Sequence, residues 1–247
     1  MDYIAEEYAE LNQEFNNQFN QNENKQEIHI TNLNIDKNHE EYQYTKLLKN
    51  IIENGYWVEG RNGRTKSIFG ASMRFSLKNG TIPILTTKKT AWKTCLKELL
   101  WFIRGETDNN ILKKQGVHIW DLNSNRDFLN SRGLTDYCVD ECGPIYGRQW
   151  RHFNSDCDSN GKRVHDSEGI DQLQQIIDSL KDPKQRTSRR LVMTAWNPAQ
   201  LHQMALPPCH ILCQFNVHDG NKLSCMMVQR SCDFFLGSCF NIASYSF

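Results

Sequence analysis

The sequence lacks the features that mark several large functional classes. It has no excess charge: 29 Lys and Arg balance 29 Asp and Glu, a formal net charge of zero. A nucleic-acid platform carries a basic surplus, so no such partner is expected. No apolar run approaches the roughly 20 residues of a membrane span. There are nine cysteines, but no C-x-x-C pair. No His or Cys cluster completes the spacing of Cys138/Cys142 or Cys209/Cys213 into a zinc site. An odd count without a disulfide framework points to a reducing compartment. The acidic, polar start does not read as a secretory signal. There is no Gly-rich phosphate loop, no dinucleotide fingerprint and no internal repeat. The expectation is a soluble, cytoplasmic protein of one large domain or two small ones, without metal, membrane or nucleic acid.

What is present falls into two parts. Residues 1–38 are rich in Asn, Gln and Glu and cannot bury enough apolar surface to offset the entropy of ordering. They are expected to form a mostly disordered tail. Residues 39–247 carry the periodic patterns of a folded domain. Tyr44, Leu47, Leu48, Ile51 and Ile52 make a helical stripe ending at Gly55. The polar stretch 61–66 reads as a loop. Residues 67–70 and 73–77 read as strand, closed by a Lys78-Asn79-Gly80 turn. The clearest helix spans 90–104, with Thr90 as N-cap, Gly105 as stop, and Trp92, Cys95, Leu96, Leu99, Leu100 and Ile103 on one face. This stripe leaves Glu98 at its edge, and a rim carboxylate turned to water is its simplest reading. Short helices over 108–116 and 124–133 flank His118–Asn123, where Trp120 is expected in the core. A helix over 170–180, a basic run over 184–190 and a buried strand over 191–198 follow. Irregular alternation of helices and strands predicts an α+β fold with a mixed or antiparallel sheet.

The most informative stretch lies near the end. His210–Val217 alternates, with Ile211, Cys213, Phe215 and Val217 on one face, and Leu223, Cys225 and Met227 alternate on the return. The Asp219-Gly220 turn between them marks a β-hairpin. With a two-residue turn, Cys209 falls opposite Arg230. If Asn221 joins the loop, Ser231 moves opposite instead. Either register sets a thiol near a guanidinium at a strand mouth. A neighbouring cation favours the nucleophilic thiolate, and Arg keeps its charge at any physiological pH. Most cysteines in a reducing compartment are nonetheless small buried hydrophobes.

The motifs around this hairpin take the reading further. Ala205-Leu-Pro-Pro-Cys209-His210, Gln229-Arg230-Ser231-Cys232-Asp233 and Phe240-Asn241-Ile-Ala-Ser-Tyr245 resemble thymidylate synthase in order and spacing. So do Glu98-Leu-Leu-Trp101 and Gly143-Pro-Ile-Tyr146-Gly147. The resemblance covers about residues 39–247 and implies the thymidylate synthase-like fold, with a large mixed twisted sheet whose face forms a homodimer. It implies that dUMP and 5,10-methylenetetrahydrofolate become dTMP and dihydrofolate through a covalent adduct between Cys209 and the pyrimidine C6. Cys209, Glu98, Arg230, Tyr146 and His210 would be catalytic. Arg61, Arg189, Arg190, Gln229, Arg230, Ser231, Cys232, Asp233 and Asn241 would bind dUMP, with Arg189 and Arg190 reaching the partner's site. By its flanks Arg61 is the better match for the phosphate arginine of its loop, and Arg64 is the alternative. Trp120, Asn123, Asp233, Gly237 and Phe240 would border the folate.

Departures from the family pattern are few. The arginine loop is one residue shorter, Glu141-Cys142 precedes Gly143 where Asp-Leu is usual, and Cys239 replaces a proline, which is expected to soften its loop. The match stops at Phe247, where the family is expected to continue, so a catalytic domain lacking its C-terminal portion is expected, with weak or absent activity. A fragment or split enzyme, an inactive relative and a nucleotide- or dimer-binding module are the readings open there. A cytidylate hydroxymethylase is disfavoured by Asn241 and a cysteine hydrolase by the supply of arginines.

Overall fold

The computed structural model of the chain describes residues 39–60, 63–164 and 169–247. The expected 1–38 tail and Arg61 lie outside the described residues. The fold is that of the unit Glu40–Phe247.

Helix α1 (Tyr42–Asn54) buries Tyr44, which stacks on Phe234 at 5.2 Å. Its N-terminal end holds the irregular chain that follows the first hairpin. Gln43 exchanges hydrogen bonds with the backbone of Arg74, and Glu40 accepts the Ser76 N–H at 2.7 Å. The Glu41 carboxylate accepts from the N–H and hydroxyl of both Thr86 and Thr87. The strand expected over 73–77 is therefore absent. Side chains at and just before the start of α1 take backbone groups that a neighbouring strand would have paired. The turn after it is as expected, a 3₁₀ turn over Lys78–Gly80 with positive φ at Asn79 and Gly80.

Strands β1 (Tyr56–Gly60) and β2 (Gly63–Ser67) form an antiparallel hairpin with Trp57 opposite Lys66. Much of the stretch read as a polar loop is thus strand. A solvated two-stranded ribbon has no buried face to impose alternation. The Arg64 guanidinium lies 4.5 Å from the Trp57 ring centroid.

Helix α2 (Trp92–Ile103) starts later than its sequence predicts, with Ala91 and not Thr90 at the cap position and no side-chain cap. It ends as predicted: Gly105, at φ 73°, donates to the Phe102 carbonyl while Glu106 donates to that of Trp101. This pair of bonds is a Schellman closure. The buried face is Cys95, Glu98, Trp101 and Phe102, while Trp92 and Leu100 are exposed. The expected stripe is therefore rotated, and Glu98 sits inside the buried face.

Short helices α3 (Asn110–Lys113), α4 (Asp121–Ser124), α5 (Arg126–Ser131) and α6 (Tyr146–Arg151) follow. The Asn125 side chain, one residue past Ser124, caps α5 by accepting the Phe128 N–H. Helix α7 (Gln172–Lys181) and strands β3 (Val192–Thr194), β4 (His210–His218) and β5 (Lys222–Gln229) lead to α8 (Gly237–Ser246). The three strands form one antiparallel sheet in the order β3-β4-β5. The α+β expectation holds. Among the described residues the sheets are antiparallel, of two and three strands, rather than one large mixed sheet. The main core gathers Trp101, Phe102, Trp120, Tyr146 and Trp150 beside Met193 and Cys213 of the sheet. Among the described residues no helix is long and apolar enough to cross a membrane.

Candidate active site

The β4–β5 hairpin resolves the two registers in an unexpected way. Its loop is Asp219-Gly220-Asn221, because His218 pairs with Lys222. Asp219 and Gly220 both have positive φ, a conformation for which Asp and Gly are suited. A three-residue loop alone would set Ser231 opposite Cys209. The pairing shifts once more between His210 and Leu212, so that His210 pairs with Gln229. Ile211 is the extra residue of this irregularity, a β-bulge of the kind that re-aims side chains. The two shifts cancel, and the Arg230 N–H donates to the Cys209 carbonyl at 3.0 Å.

Arg230 is then fixed by its guanidinium. Nε donates to the Pro208 carbonyl at 2.8 Å and Nη2 to the Pro207 carbonyl at 3.0 Å. Nη2 lies 4.0 Å from Cys209 Sγ. The Trp196 ring centroid is 5.4 Å from the guanidinium carbon, within cation–π range. The Pro-Pro pair thus supplies two acceptors to the cation beside the thiol. Prolines suit this segment because it gives no backbone N–H to a ladder.

Tyr146, at the start of α6, accepts the Cys209 N–H on its hydroxyl at 2.7 Å. Its ring packs against Phe102 at 4.8 Å and His210 at 5.2 Å. Burial raises its phenol far above the usual range, so it stays protonated. Desolvation pushes the His210 imidazole down to about 4, opposed by a hydrogen bond to Asn241, and the ring is neutral near pH 7. His210 Nδ1 lies 3.2 Å from the Tyr245 hydroxyl. Asn241, just past the first turn of α8, is buried and accepts from Gln229 Nε2 at 2.9 Å.

Behind this row lies Glu98. It is 8% exposed and accepts from Trp120 Nε1 at 2.7 Å. Burial raises its carboxyl to about 7, against the lowering effect of the Trp120 bond. The rim reading is overturned: the helix offers Glu98 to the interior, where one indole N–H donates to it. Trp120 is in the core as expected, and its ring meets Tyr146 edge-on at 6.1 Å.

A Cys beside an Arg, a buried carboxyl of raised proton affinity, a neutral His and a protonated Tyr form one contiguous row. The family described as thymidylate synthase matches residues 42–247. The chain belongs to the thymidylate synthase family. It is 50% identical over 214 residues to the bifunctional dihydrofolate reductase-thymidylate synthase of Leishmania major, covering 86% of this chain and 41% of that protein. It is 50% identical over 222 residues to the probable thymidylate synthase of Schizosaccharomyces pombe, covering 85% of this chain and 34% of that protein. With thymidylate synthase 1/2 of Encephalitozoon cuniculi the identity is 49% over 212 residues, covering 85% and 70%. The chain thus spans about two fifths or less of the first two of these relatives.

The other predicted family positions divide by location. Asp233 accepts the Phe235 and Leu236 N–H groups on its side chain, and its carbonyl accepts those of Gly237 and Ser238. It therefore locks the turn that leads into α8. A Cβ on Gly237 would lie 3.7 Å from Asn241 Oδ1 and 3.8 Å from Asp233 Cβ, in ordinary van der Waals contact with both. Cys239 sits in the first turn of α8, where a proline is also tolerated, and its thiol donates to the Leu236 carbonyl at 3.2 Å. Phe240 is half-buried in that turn, while Ser231 and Cys232 are exposed just after β5. Asn123 is half-buried in α4, its N–H on the Trp120 carbonyl. Arg189 and Arg190 are exposed on the turn before β3. Arg64 is engaged with Glu59 and Trp57 on the first hairpin. Among the described residues no group of three His, Cys, Asp or Glu is arranged to hold a metal.

Sequence reasoning missed Trp196 and Tyr245 as site residues. Tyr245 closes one of the family-like motifs and Trp196 lies in the stretch read as a buried strand, but an aromatic side chain is equally at home in any core. Only the fold shows that one lies against Arg230 and the other against His210.

Proposed function

We propose that the chain carries the thymidylate synthase reaction, converting dUMP and 5,10-methylenetetrahydrofolate to dTMP and dihydrofolate. The single observation that best supports this is the Cys209–Arg230 pairing, which two compensating register shifts maintain. Methylation at C5 of uracil needs a nucleophile at C6. The Cys209 thiolate adds there, and the electron pair displaced from the 5,6 double bond makes C5 an enolate carbon able to attack an electrophile. The folate supplies the one-carbon unit and the hydride.

The chain's own groups prepare that step. Arg230 lies beside the thiol, its Nη2 4.0 Å from Cys209 Sγ, and offers donors to the nucleotide phosphate. Arg61 or Arg64, with Arg189 and Arg190 from a second subunit of a homodimer, completes a clamp whose binding energy positions the base over the thiol. Ser231, Cys232 and Asp233 border the nucleotide. Gln229 orients Asn241, which distinguishes uracil from cytosine by donating to O4 and accepting from N3–H. Trp120, Asn123, Asp233, Gly237 and Phe240 hold the folate. Glu98 and His210 exchange protons through water near O4, a task suited to a carboxyl near 7 and a neutral imidazole. Tyr146 holds the backbone of Cys209. The setting is the cytoplasm.

Release of tritium from dUMP labelled at C5 tests this reading on the purified chain. Folate-dependent release that disappears on replacing Cys209 is expected. Release that survives Cys209→Ala, or no release under any folate concentration, overturns it.

A further inference from the structure

Asn109 stands outside the row of site residues, yet it is fully buried and aimed at the segment that carries Trp120. Its Nδ2 donates to Asp121 Oδ1 at 2.9 Å, to Ser124 Oγ at 3.1 Å and to Asp140 Oδ1 at 3.2 Å. We propose that Asn109 is a positioning residue for Glu98: it holds α4 in the place from which the Trp120 indole meets the carboxyl.

The need for such a tie follows from the length of α4. A helix of four residues makes too few bonds to offset its own nucleation, so contacts from outside set its place. Asn109 grips it at both ends, at Asp121 and at Ser124. Trp120 immediately precedes α4, and its carbonyl lies 3.0 Å from Ser124 Oγ as acceptor. Main-chain bonds anchor the same group. The Asn109 N–H donates to the Asp140 carbonyl and the Asp140 N–H to the Ser124 carbonyl, each at 2.8 Å. The Asn109 carbonyl in turn accepts from the Lys113 N–H of α3 at 2.9 Å.

The surroundings select an amide. Two carboxylates and a hydroxyl converge on Nδ2. An acid at this position would be repelled by Asp121 and Asp140, and a reversed carboxamide would set its oxygen against both. Lys113 Nζ also reaches the pair, 2.7 Å from Asp140 Oδ1 and 3.9 Å from Asp121 Oδ1, and His118 Nδ1 lies 2.9 Å from Asp121 Oδ2. Both of these come from the solvent side, where salt screens them. Packing alone does not aim the indole. Trp120 meets Trp101, Phe102 and Tyr146 at 5.9, 6.4 and 6.1 Å between ring centroids. Apolar burial is non-directional, whereas an N–H···O bond such as that to Glu98 weakens steeply when bent. The placing of the Trp120 backbone by Asn109 and Ser124 supplies that direction. Its value to turnover rests on the function proposed above, in which Glu98 handles protons. The geometry itself does not.

Proton–nitrogen NMR of the tryptophan indoles, with Trp120 assigned from the spectrum of Trp120→Phe, reads the bond directly. In Asn109→Ala the Trp120 Nε1–H resonance should move upfield, as for an indole that loses a strong acceptor. Its pH titration should shift to a higher midpoint, because a carboxylate deprived of a donor takes up its proton more readily. At saturating folate the variant should lose on the order of tenfold in kcat, part of what a placed acid–base group contributes. Its KM for dUMP should stay within about twofold, since Asn109 touches no residue assigned to the nucleotide. An indole resonance and midpoint unchanged from wild type overturn the proposal, even if the variant melts earlier, because Asn109 would then only stabilise the fold. If Asn109→Ala fails to fold, Ser124→Ala decides: it removes the link to the Trp120 carbonyl, and an unmoved indole there refutes the tie. A chain whose indole responds as expected but which releases no tritium would overturn the proposed function alone.

Discussion

The indole Nε1 of Trp120 donates to Glu98 Oε1 across 2.7 Å, in surroundings that leave the residue 8% exposed. One hydrogen bond does not compensate an ionised carboxylate for the loss of water, and the carboxyl rises from 4.5 to about 7. The folded state therefore binds a proton that the unfolded chain releases. Stability from this group is fully present below pH 4.5 and is lost as pH rises through 7. The full loss is about 3 kcal/mol, at about 1.4 kcal/mol per tenfold change in proton affinity. Glu141, also raised to about 7 by burial, contributes in the same direction, so the wild-type slope is not due to Glu98 alone. Glu98→Gln should be nearly neutral at pH 5 and gain about 2–3 kcal/mol relative to wild type at pH 8. Urea unfolding at the two pH values measures this, and a difference that does not change with pH would refute it.

Cys209→Ala should abolish turnover, by roughly 10³-fold or more, because no other group can form the C6 bond. Its effect on folding should be small. The Cys209 backbone bonds to Tyr146 and Arg230 remain, and the guanidinium keeps its two proline carbonyls. A melting temperature within about 2 °C of wild type is expected, as for a half-exposed side chain with one long contact. Steady-state kinetics and calorimetry on one preparation check both halves.

The sequence showed clearly what depends on local pattern. The hairpin, the Gly105 stop and the Gly80 turn each rest on a residue whose backbone preference is visible in isolation. Proximity of Cys209 to Arg230 was also legible, but its register was not, since the bulge at Ile211 leaves no compositional mark. Glu98 was misread because six apolar residues defined a stripe that tertiary packing used only in part: Cys95 is buried, but Trp101 and Phe102 also turn inward, and Trp92 and Leu100 outward. The strand expected over 73–77 failed for a related reason. Its alternation is real, but Glu40 and Gln43 take its backbone groups.

Arg230→Lys keeps the charge and loses the fork. A single ammonium cannot satisfy both the Pro207 and Pro208 carbonyls while staying beside Sγ. Two hydrogen bonds and the contact with Trp196 would be weakened together. Alkylation of Cys209 by iodoacetamide at pH 7.5 should slow by about tenfold, and kcat/KM for dUMP should fall by more, since the phosphate also loses a bidentate donor. Equal alkylation rates in the two proteins would show that the guanidinium geometry does not matter to the thiol.

Gly147→Ala tests how tightly the site is braced from behind. A Cβ there would lie 2.4 Å from the Phe102 carbonyl oxygen and 2.6 Å from Phe102 Cα. Both are backbone atoms of α2, so no side-chain rotation relieves the contact. Helix α6 must instead move off α2, and it carries Tyr146, whose hydroxyl holds the Cys209 N–H. Overpacking of this kind costs about 1–3 kcal/mol or more, or roughly 3–10 °C in melting temperature for a domain of this size. The same displacement should lower kcat in the fraction that remains folded, because Tyr146, Phe102 and His210 pack as one stack. Calorimetry gives the first effect and turnover at 15 °C, well below unfolding, gives the second. A variant that melts within about 2 °C of wild type would show that the α2–α6 contact yields at little cost. One that melts early yet turns over normally would separate the brace from the chemistry.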